Sequence, residues 1–414
     1  MGPTSPSLTD STLLAAVRRA IGNVPVAFVL GNAREVPQTS ETIVATVRIR
    51  DRATLLSLAK DPDFGFGDAY SDGRIEVEGD LVRSLEHVYL AAARRRPPLY
   101  QRLRAKWLNW SQDNTARGSR SNIHHHYDLS NDFYRLWLDE LMVYTCAYFP
   151  RPEDSLEVAQ LSKMEMICRK LRLQPGETVV EAGCGWGALA IYMAQHYGVH
   201  VKAFNISHEQ IIFARERAKH EGVTGKVEFI EDDYRNVSQK FDAFCSVGML
   251  EHVGFDHYRE LGRVIKCAIG DTGRGFLHYI GRNRVRPLNA WIRRRIFPGA
   301  YPPTLRESLE VLEPENFSIL DVENLRMHYA KTLEHWLQRF ESSFDAVVRM
   351  KGTEFARAWR LYLAGSVAAF RVGSLQLFQV LFAGARSPFV VWTREHLYAP
   401  FDEETDRELW TRAM

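Results

Sequence analysis

The chain has 414 residues, a formal net charge of +2, 45% hydrophobic and 25% charged residues. That length allows a large core split into about two or three structural units, and the near-balanced charge selects no nucleic-acid or membrane partner on average. Five cysteines without paired spacing argue for reduced thiols in a cytosolic compartment, against a disulfide framework and against a zinc site. No long apolar run predicts a transmembrane helix, and the polar start of the chain has no signal-peptide core. The expectation is a cytoplasmic protein, so any membrane contact is peripheral.

Residues 1–93 read as a small α+β domain. Leu8, Leu13, Leu14, Val17 and Ile21 share one side of a helix over 7–21. Strands are expected over 24–30 and 41–50; in the second, Ile43, Ala45, Val47 and Ile49 alternate with more polar neighbours. A helix over 53–60 leads into a glycine-rich stretch, 64–73, expected to be a loop. A segment 74–78 and a helix over 81–93 complete the unit. Residues 94–122 follow as a basic, aromatic linker. In it Leu99, Leu103, Trp107 and Trp110 form a stripe flanked by cations. Such a helix suits an anionic membrane surface, and it equally suits packing between domains.

From 123 to 414 a second domain is expected. After residue 171 the chain alternates strand and helix: strands over 178–182, 200–204, 226–230, 241–247 and 275–280, with helices to 196 and over 209–221 and 257–269. This is the pattern of a mostly parallel sheet, an α/β fold. The sixth and seventh strands have no clear position. An insertion after Ile280 carries Arg282, Arg284, Arg286, Arg293, Arg294 and Arg295 around Trp291 and Phe297. Long helices are expected over 333–349 and 353–382.

The most informative stretch is Glu181-Ala182-Gly183-Cys184-Gly185-Trp186-Gly187. It reads as a strand turning into a helix, with bare backbone where a ligand can lie. The spacing is GxGxG, tighter than the dinucleotide fingerprint, and Glu181 precedes it. That pattern favours S-adenosylmethionine over NAD. Asn205 ends the second strand where an acid commonly meets ribose hydroxyls, and Gln210 lies one helical turn later. Asp233, Tyr234 and Arg235 follow the third strand. Glu251 follows the fourth and His278 lies near the end of the fifth, so both reach the ligand edge of the sheet. Taken singly, Asp233 fits a surface turn, His278 fits a core histidine, and Cys146 fits plain core.

Together these residues resemble the cyclopropane fatty acid synthases, which include the mycolic acid cyclopropane synthases. The resemblance rests on 126–133 (HYDLSNDF), 144–149 (YTCAYF), 181–187 (EAGCGWG), 233–235 (DYR), 248–254 (GMLEHVG), 277–281 (LHYIG), 296–299 (IFPG), and Tyr329 before Thr332 and Leu333. It covers 120–400, and more weakly the N-terminal lipid-binding unit of longer bacterial synthases. It implies a Rossmann-like class I methyltransferase fold. It implies that Tyr144, Thr145, Gly183, Gly185, Asn205, Gln210, Tyr234 and Arg235 line an S-adenosylmethionine pocket, beside Glu181 and Asp233. It also implies that Cys146, Glu251, His278, the Ile280 backbone and Tyr329 hold a bicarbonate ion. Relatives often carry Thr at 205, Ser at 145 and Cys at 366; Ser366 offers no nucleophilic thiol here.

The implied reaction is attack of a lipid cis double bond on the activated methyl, then ring closure by proton loss to bicarbonate as general base. The implied partners are unsaturated phospholipid chains at an anionic membrane surface, met from the cytoplasmic side; a homodimer is left open. Tyr127, Phe133, Tyr148, Phe149, Tyr279 and Phe370 are candidate walls of a dry pocket. No metal is expected. A methylene- or methyl-branched product is the alternative within the family. An NAD oxidoreductase is disfavoured by GxGxG and Asn205, and a nucleic-acid methyltransferase by the lack of an NPPY-like motif. A non-catalytic lipid carrier would leave Cys146, Glu251, His278 and Tyr329 unexplained.

Overall fold

Two sheets organise the chain. The computed structural model describes residues 7–93, 129–286 and 288–398, so the linker over 94–122 and Tyr127 lie outside the described residues. The first sheet holds β1 (Val26–Leu30), β2 (Ala33–Glu35), β3 (Ala45–Ile49) and β4 (Ile75–Gly79) in the order β2-β1-β3-β4. Ala45, Val47 and Ile49 are buried, whereas Arg48 is exposed, as the alternation predicts. Helices Leu8–Ile21 and Arg52–Lys60 help close a core around Leu14, Val17, Phe28, Leu55 and Ile75.

The expected loop over 64–73 is instead part of a helix, Pro62–Ser71. Asp61 caps it by accepting from the Phe64 N–H at 3.3 Å, and Pro62 opens its first turn. Gly67 serves close approach rather than a turn: a Cβ there would fall 2.3 Å from the Trp291 indole. The helix Leu81–Ala93 matches its expected range.

The second sheet holds β5 (Thr178–Ala182), β6 (His200–Asn205), β7 (Val227–Glu231), β8 (Ala243–Val247), β9 (Arg274–Gly281), β10 (Phe317–Asn324) and β11 (Gln376–Gly384). Their order is β10-β11-β9-β8-β5-β6-β7. Strands β5 to β9 are parallel; β11 runs antiparallel to both β9 and β10. This is the α/β, Rossmann-like sheet that the resemblance implies. The chain leaves central β5 to build β6 and β7 on one side and returns to β8 and β9 on the other. That reversal opens a crevice at the carboxyl ends of the strands.

Side chains alternate across this sheet. Val179 joins the core under helices Leu156–Leu171, Ala188–His196 and His208–His220; Val180 and Ala182 join the opposite core under Tyr258–Ile269. The expected helix over 353–382 ends at Arg371, and the rest becomes β11. Gly373, at φ +73°, makes the turn between them. The expected helix over 333–349 is two helices, Arg326–Ser342 and Phe344–Lys351.

Candidate active site

The glycine turn follows β5 and shapes a cleft. Gly185 (φ +54°) has open space where a Cβ would stand, whereas a Cβ on Gly187 (φ +82°) would meet the Phe229 ring at 2.5 Å. One glycine therefore keeps the cleft clear and the other lets the turn pack on β7. The cleft is lined by Tyr144, Thr145, Glu181, Gly183, Gly185, Asn205 and Gln210, all expected there, and holds about 830 Å³ of empty space, its open mouth included. Asn205 donates to the Gly185 carbonyl at 3.2 Å and to Gln210 Oε1 at 2.7 Å, which locks the two amides together.

Lys163, Met249 and His252 also line the cleft and were not legible in the sequence. Lys163 Nζ donates to Thr145 Oγ1 at 3.0 Å. Burial pulls the lysine down to about 8 and pushes the Glu181 carboxyl up to about 7; each partly offsets the other's shift through their attraction. Glu181 Oε2 is buried without a hydrogen-bond partner among the described residues, which suits a donor brought by a ligand. Burial alone lowers His252 to about 4.

Asp233, Tyr234 and Arg235 do not line this cleft. Asp233 accepts from the Arg235 N–H and guanidinium, both at 3.0 Å, and the guanidinium lies 5.0 Å over the Tyr234 ring. The local turn and ion pair hold the trio beside β7. The Tyr234 hydroxyl is buried without a partner among the described residues.

A second set of groups lies directly behind the cleft. Cys146 follows cleft-lining Thr145, and Glu251 sits between cleft-lining Met249 and His252. Glu251 Oε1 accepts from the Ile280 N–H at 2.5 Å. The backbone donor that the resemblance assigns to bicarbonate thus holds the carboxyl itself. Ile280 pairs with Leu377, whose carbonyl accepts from the Leu325 N–H at 2.9 Å. The Cys146 thiol donates to the Ala147 carbonyl at 3.1 Å and lies 4.0 Å from the Leu325 carbonyl, which accepts from the Tyr329 N–H at 3.0 Å. Two residues before Ile280, on the same face of β9, stands His278. The segments that carry Cys146, Glu251, His278, Ile280 and Tyr329 thus meet around one end of β9.

The two atoms that point to a ligand are Glu251 Oε2 and His278 Nε2. Both are buried without a partner among the described residues. Burial raises the Glu251 carboxyl to about 7 and holds His278 well below its usual range, with Lys163 and Lys170 adding to the latter. Neutral forms of both make a carboxyl O–H and an imidazole, which fit a small oxyanion without adding charge repulsion. Burial pushes the Cys146 thiol far up, so it is no thiolate.

A family model described as mycolic acid cyclopropane synthetase matches residues 114–380. The chain belongs to that family. It is 36% identical to a probable fatty acid methyltransferase of Pseudomonas putida, over 80% of this chain and 86% of that one. It is 33% identical to the cyclopropane-fatty-acyl-phospholipid synthase of Escherichia coli K12, over 82% and 88%. Among solved structures, the cyclopropane synthase MmaA2 from Mycobacterium tuberculosis superposes with a TM-score of 0.61 at 29% identity, covering 64% of this chain and 98% of that one. The protein is an S-adenosylmethionine-dependent methyltransferase that acts on lipid acyl chains.

One expectation is corrected by the side-chain geometry. Tyr279 faces the opposite side of β9 from His278 and bonds the Ser308 hydroxyl, so it does not wall the site. The arginine insertion is largely engaged by the protein. Arg282 is buried over the Tyr301 ring, Arg295 pairs with Asp68 at 2.9 Å, and Arg294 lies 5.0 Å over the Phe64 ring. Of the other candidate walls, Phe370 packs 4.6 Å from Tyr329, Phe133 lies in a buried aromatic cluster with Trp137 and Trp359, and Tyr148 and Phe149 stack on His328.

Proposed function

We propose that this enzyme adds one CH2 across the cis double bond of an unsaturated phospholipid acyl chain, giving a cyclopropane ring, with bicarbonate as general base. The observation that carries this reading is the pair of unsatisfied buried atoms, Glu251 Oε2 and His278 Nε2, beside the nucleoside cleft. S-adenosylmethionine, when bound, supplies an electrophilic methyl. Tyr144, Thr145, Glu181, Asn205 and Gln210 would hold it over the glycine turn; Asp233, Tyr234 and Arg235 would contribute only if they reached in from beside β7. Glu251, His278, Cys146 and Tyr329 would hold the bicarbonate, which supplies the proton acceptor.

An alkene is a weak nucleophile, so positioning dominates the rate. Tyr329 packs against Phe370 and Trp336, an aromatic surface that would exclude water from a cationic lipid intermediate. A branched product is the second reading. It is favoured by 30% identity to a tuberculostearic acid methyltransferase of Mycobacterium tuberculosis over 91% of this chain.

Among the described residues no helix is long and apolar enough to cross a membrane. The phospholipid substrate gives the reading its membrane part: peripheral contact with an anionic surface at the cytoplasmic face, where each exposed cation contributes ~1 kcal/mol. Labelled S-adenosylmethionine incubated with unsaturated phospholipid vesicles, with and without bicarbonate, tests the whole. A ring product that requires bicarbonate is expected. A branched chain moves the assignment to the second reading, and no label in lipid overturns both.

A further inference from the structure

A polar row crosses the buried sheet next to the site. Glu323 on β10 stands opposite Gln379 on β11, and Gln379 stands opposite His278 on β9. Lys170, from helix Leu156–Leu171, lies over the row with its side chain 1% exposed. Its ammonium donates to Gln379 Oε1 at 2.7 Å and pairs with Glu323 at 2.5 Å and Asp321 at 3.6 Å. Gln379 Nε2 lies 3.1 Å from His278 Nδ1. Burying a lysine, an amide and an imidazole in one sheet is costly unless every group is paired.

The chain of donors has one consistent direction. An ammonium only donates, so the Gln379 oxygen faces Lys170 and its NH2 faces His278. An amide NH2 only donates, so Nδ1 accepts, and a neutral imidazole then carries its proton on Nε2. Nε2 is the atom without a partner.

We propose that Lys170 and Gln379 are positioning residues that hold His278 as the Nε2–H tautomer, so that a fixed N–H faces the oxyanion site beside Glu251. With the opposite tautomer, the imidazole would turn a lone pair toward an anion. The tautomer follows from the contacts alone; its use for bicarbonate rests on the function proposed above. Around metal-bound imidazoles, partners that orient the ring from behind are worth roughly 10–100-fold in affinity, and the lower end is the expectation for an anion.

The test is solid-state 15N NMR on the full chain labelled only at histidine, with His278 assigned by the signals lost in His278→Gln. The wild type is expected to show a protonated Nε2 and a bare Nδ1. Gln379→Met and Lys170→Met are expected to give mixed tautomers. Each should raise the bicarbonate needed for half-maximal turnover by ~10-fold, with S-adenosylmethionine affinity unchanged. A proton on Nδ1 in the wild type overturns the proposal, and that measurement needs no variant to fold. Variants that leave both tautomer and bicarbonate requirement unchanged overturn it as well. The expected tautomers with wild-type turnover indifferent to bicarbonate uphold the row and overturn the bicarbonate reading instead.

Discussion

Glu251 is a carboxyl in a place where a carboxylate is costly. Burial raises it from an ordinary 4.5 to about 7, against the Ile280 N–H that lowers it. The folded state thus binds a proton that the unfolded state has released between those two values. Stability from this group is full below about 4.5 and falls as pH rises through 7, a difference of roughly 3 kcal/mol. Glu251→Gln removes that titration. The variant is expected to match the wild type near pH 5 and to exceed it at pH 8 in urea denaturation, while losing ~100-fold or more in turnover. Equal pH dependence in both proteins would remove Glu251 as the titrating group, and undiminished turnover would remove it from the site. Glu251 and His278 were legible because strand ends in this fold face the crevice. Gln379 and Lys163 were not, because their roles need pairings that the chain order hides: Gln379 meets a histidine 101 residues away.

The elements divide by how much context they need. Parallel strands β5 to β8 and the following helices were readable as apolar runs between turn signals. β11 was not. Its Leu377, Phe378, Val380, Leu381 and Phe382 continue the apolar character of the preceding helix, and a buried strand and a buried helix look alike by hydrophobicity. What makes it a strand is the slot between β9 and β10, a tertiary fact. The glycine turn was readable as a turn, but its two roles separate only in three dimensions, and they predict different losses. Gly187→Ala drives a methyl into Phe229 and Ala214 at a left-handed φ. It should lower Tm by several degrees, as expected for about 2 kcal/mol or more. Gly185→Ala meets nothing in the fold, so its Tm should fall less, by the backbone cost alone. Its methyl instead enters the cleft, and calorimetric affinity for S-adenosylmethionine should drop. Equal affinity in Gly185→Ala and wild type would show that the ligand does not lie on this turn.

The two sheets are joined chiefly along one helix, Thr353–Arg371, and also where Trp291 packs on Gly67 and Arg295 pairs with Asp68. The buried side of the helix carries Trp359, Leu363 and Val367 into an aromatic core that also takes in Tyr70, Leu81 and Leu85 of the N-terminal unit. Its arginines reach the N-terminal unit: Arg357 to the Tyr70 and Ile75 carbonyls at 2.7 and 2.8 Å, Arg360 to the Tyr70 hydroxyl at 3.1 Å, and Arg371 to Glu86 at 3.0 Å. Arg357 also lies 4.6 Å over the Tyr70 ring. This fork donates to the Tyr70 carbonyl, which also accepts from the Gly73 N–H at 3.4 Å, and to the Ile75 carbonyl on edge strand β4, so Arg357→Ala should weaken the joint by about 2 kcal/mol. The N-terminal unit keeps a core around Phe28, Val47 and Leu55, while its Tyr70, Leu81 and Leu85 share the larger core with Trp359 and Leu363, so a joint weakened at Arg357 should let the first sheet melt ahead of its neighbour. Scanning calorimetry of the full chain is therefore expected to show one transition in the wild type and two in Arg357→Ala, the lower one smaller in enthalpy. Because the cleft and the β9 cluster lie wholly in the larger unit, S-adenosylmethionine should raise the upper transition and leave the lower one in place. A single transition that shifts as a whole would mean that the two cores unfold as one, and that the seam carries coupling well beyond Arg357.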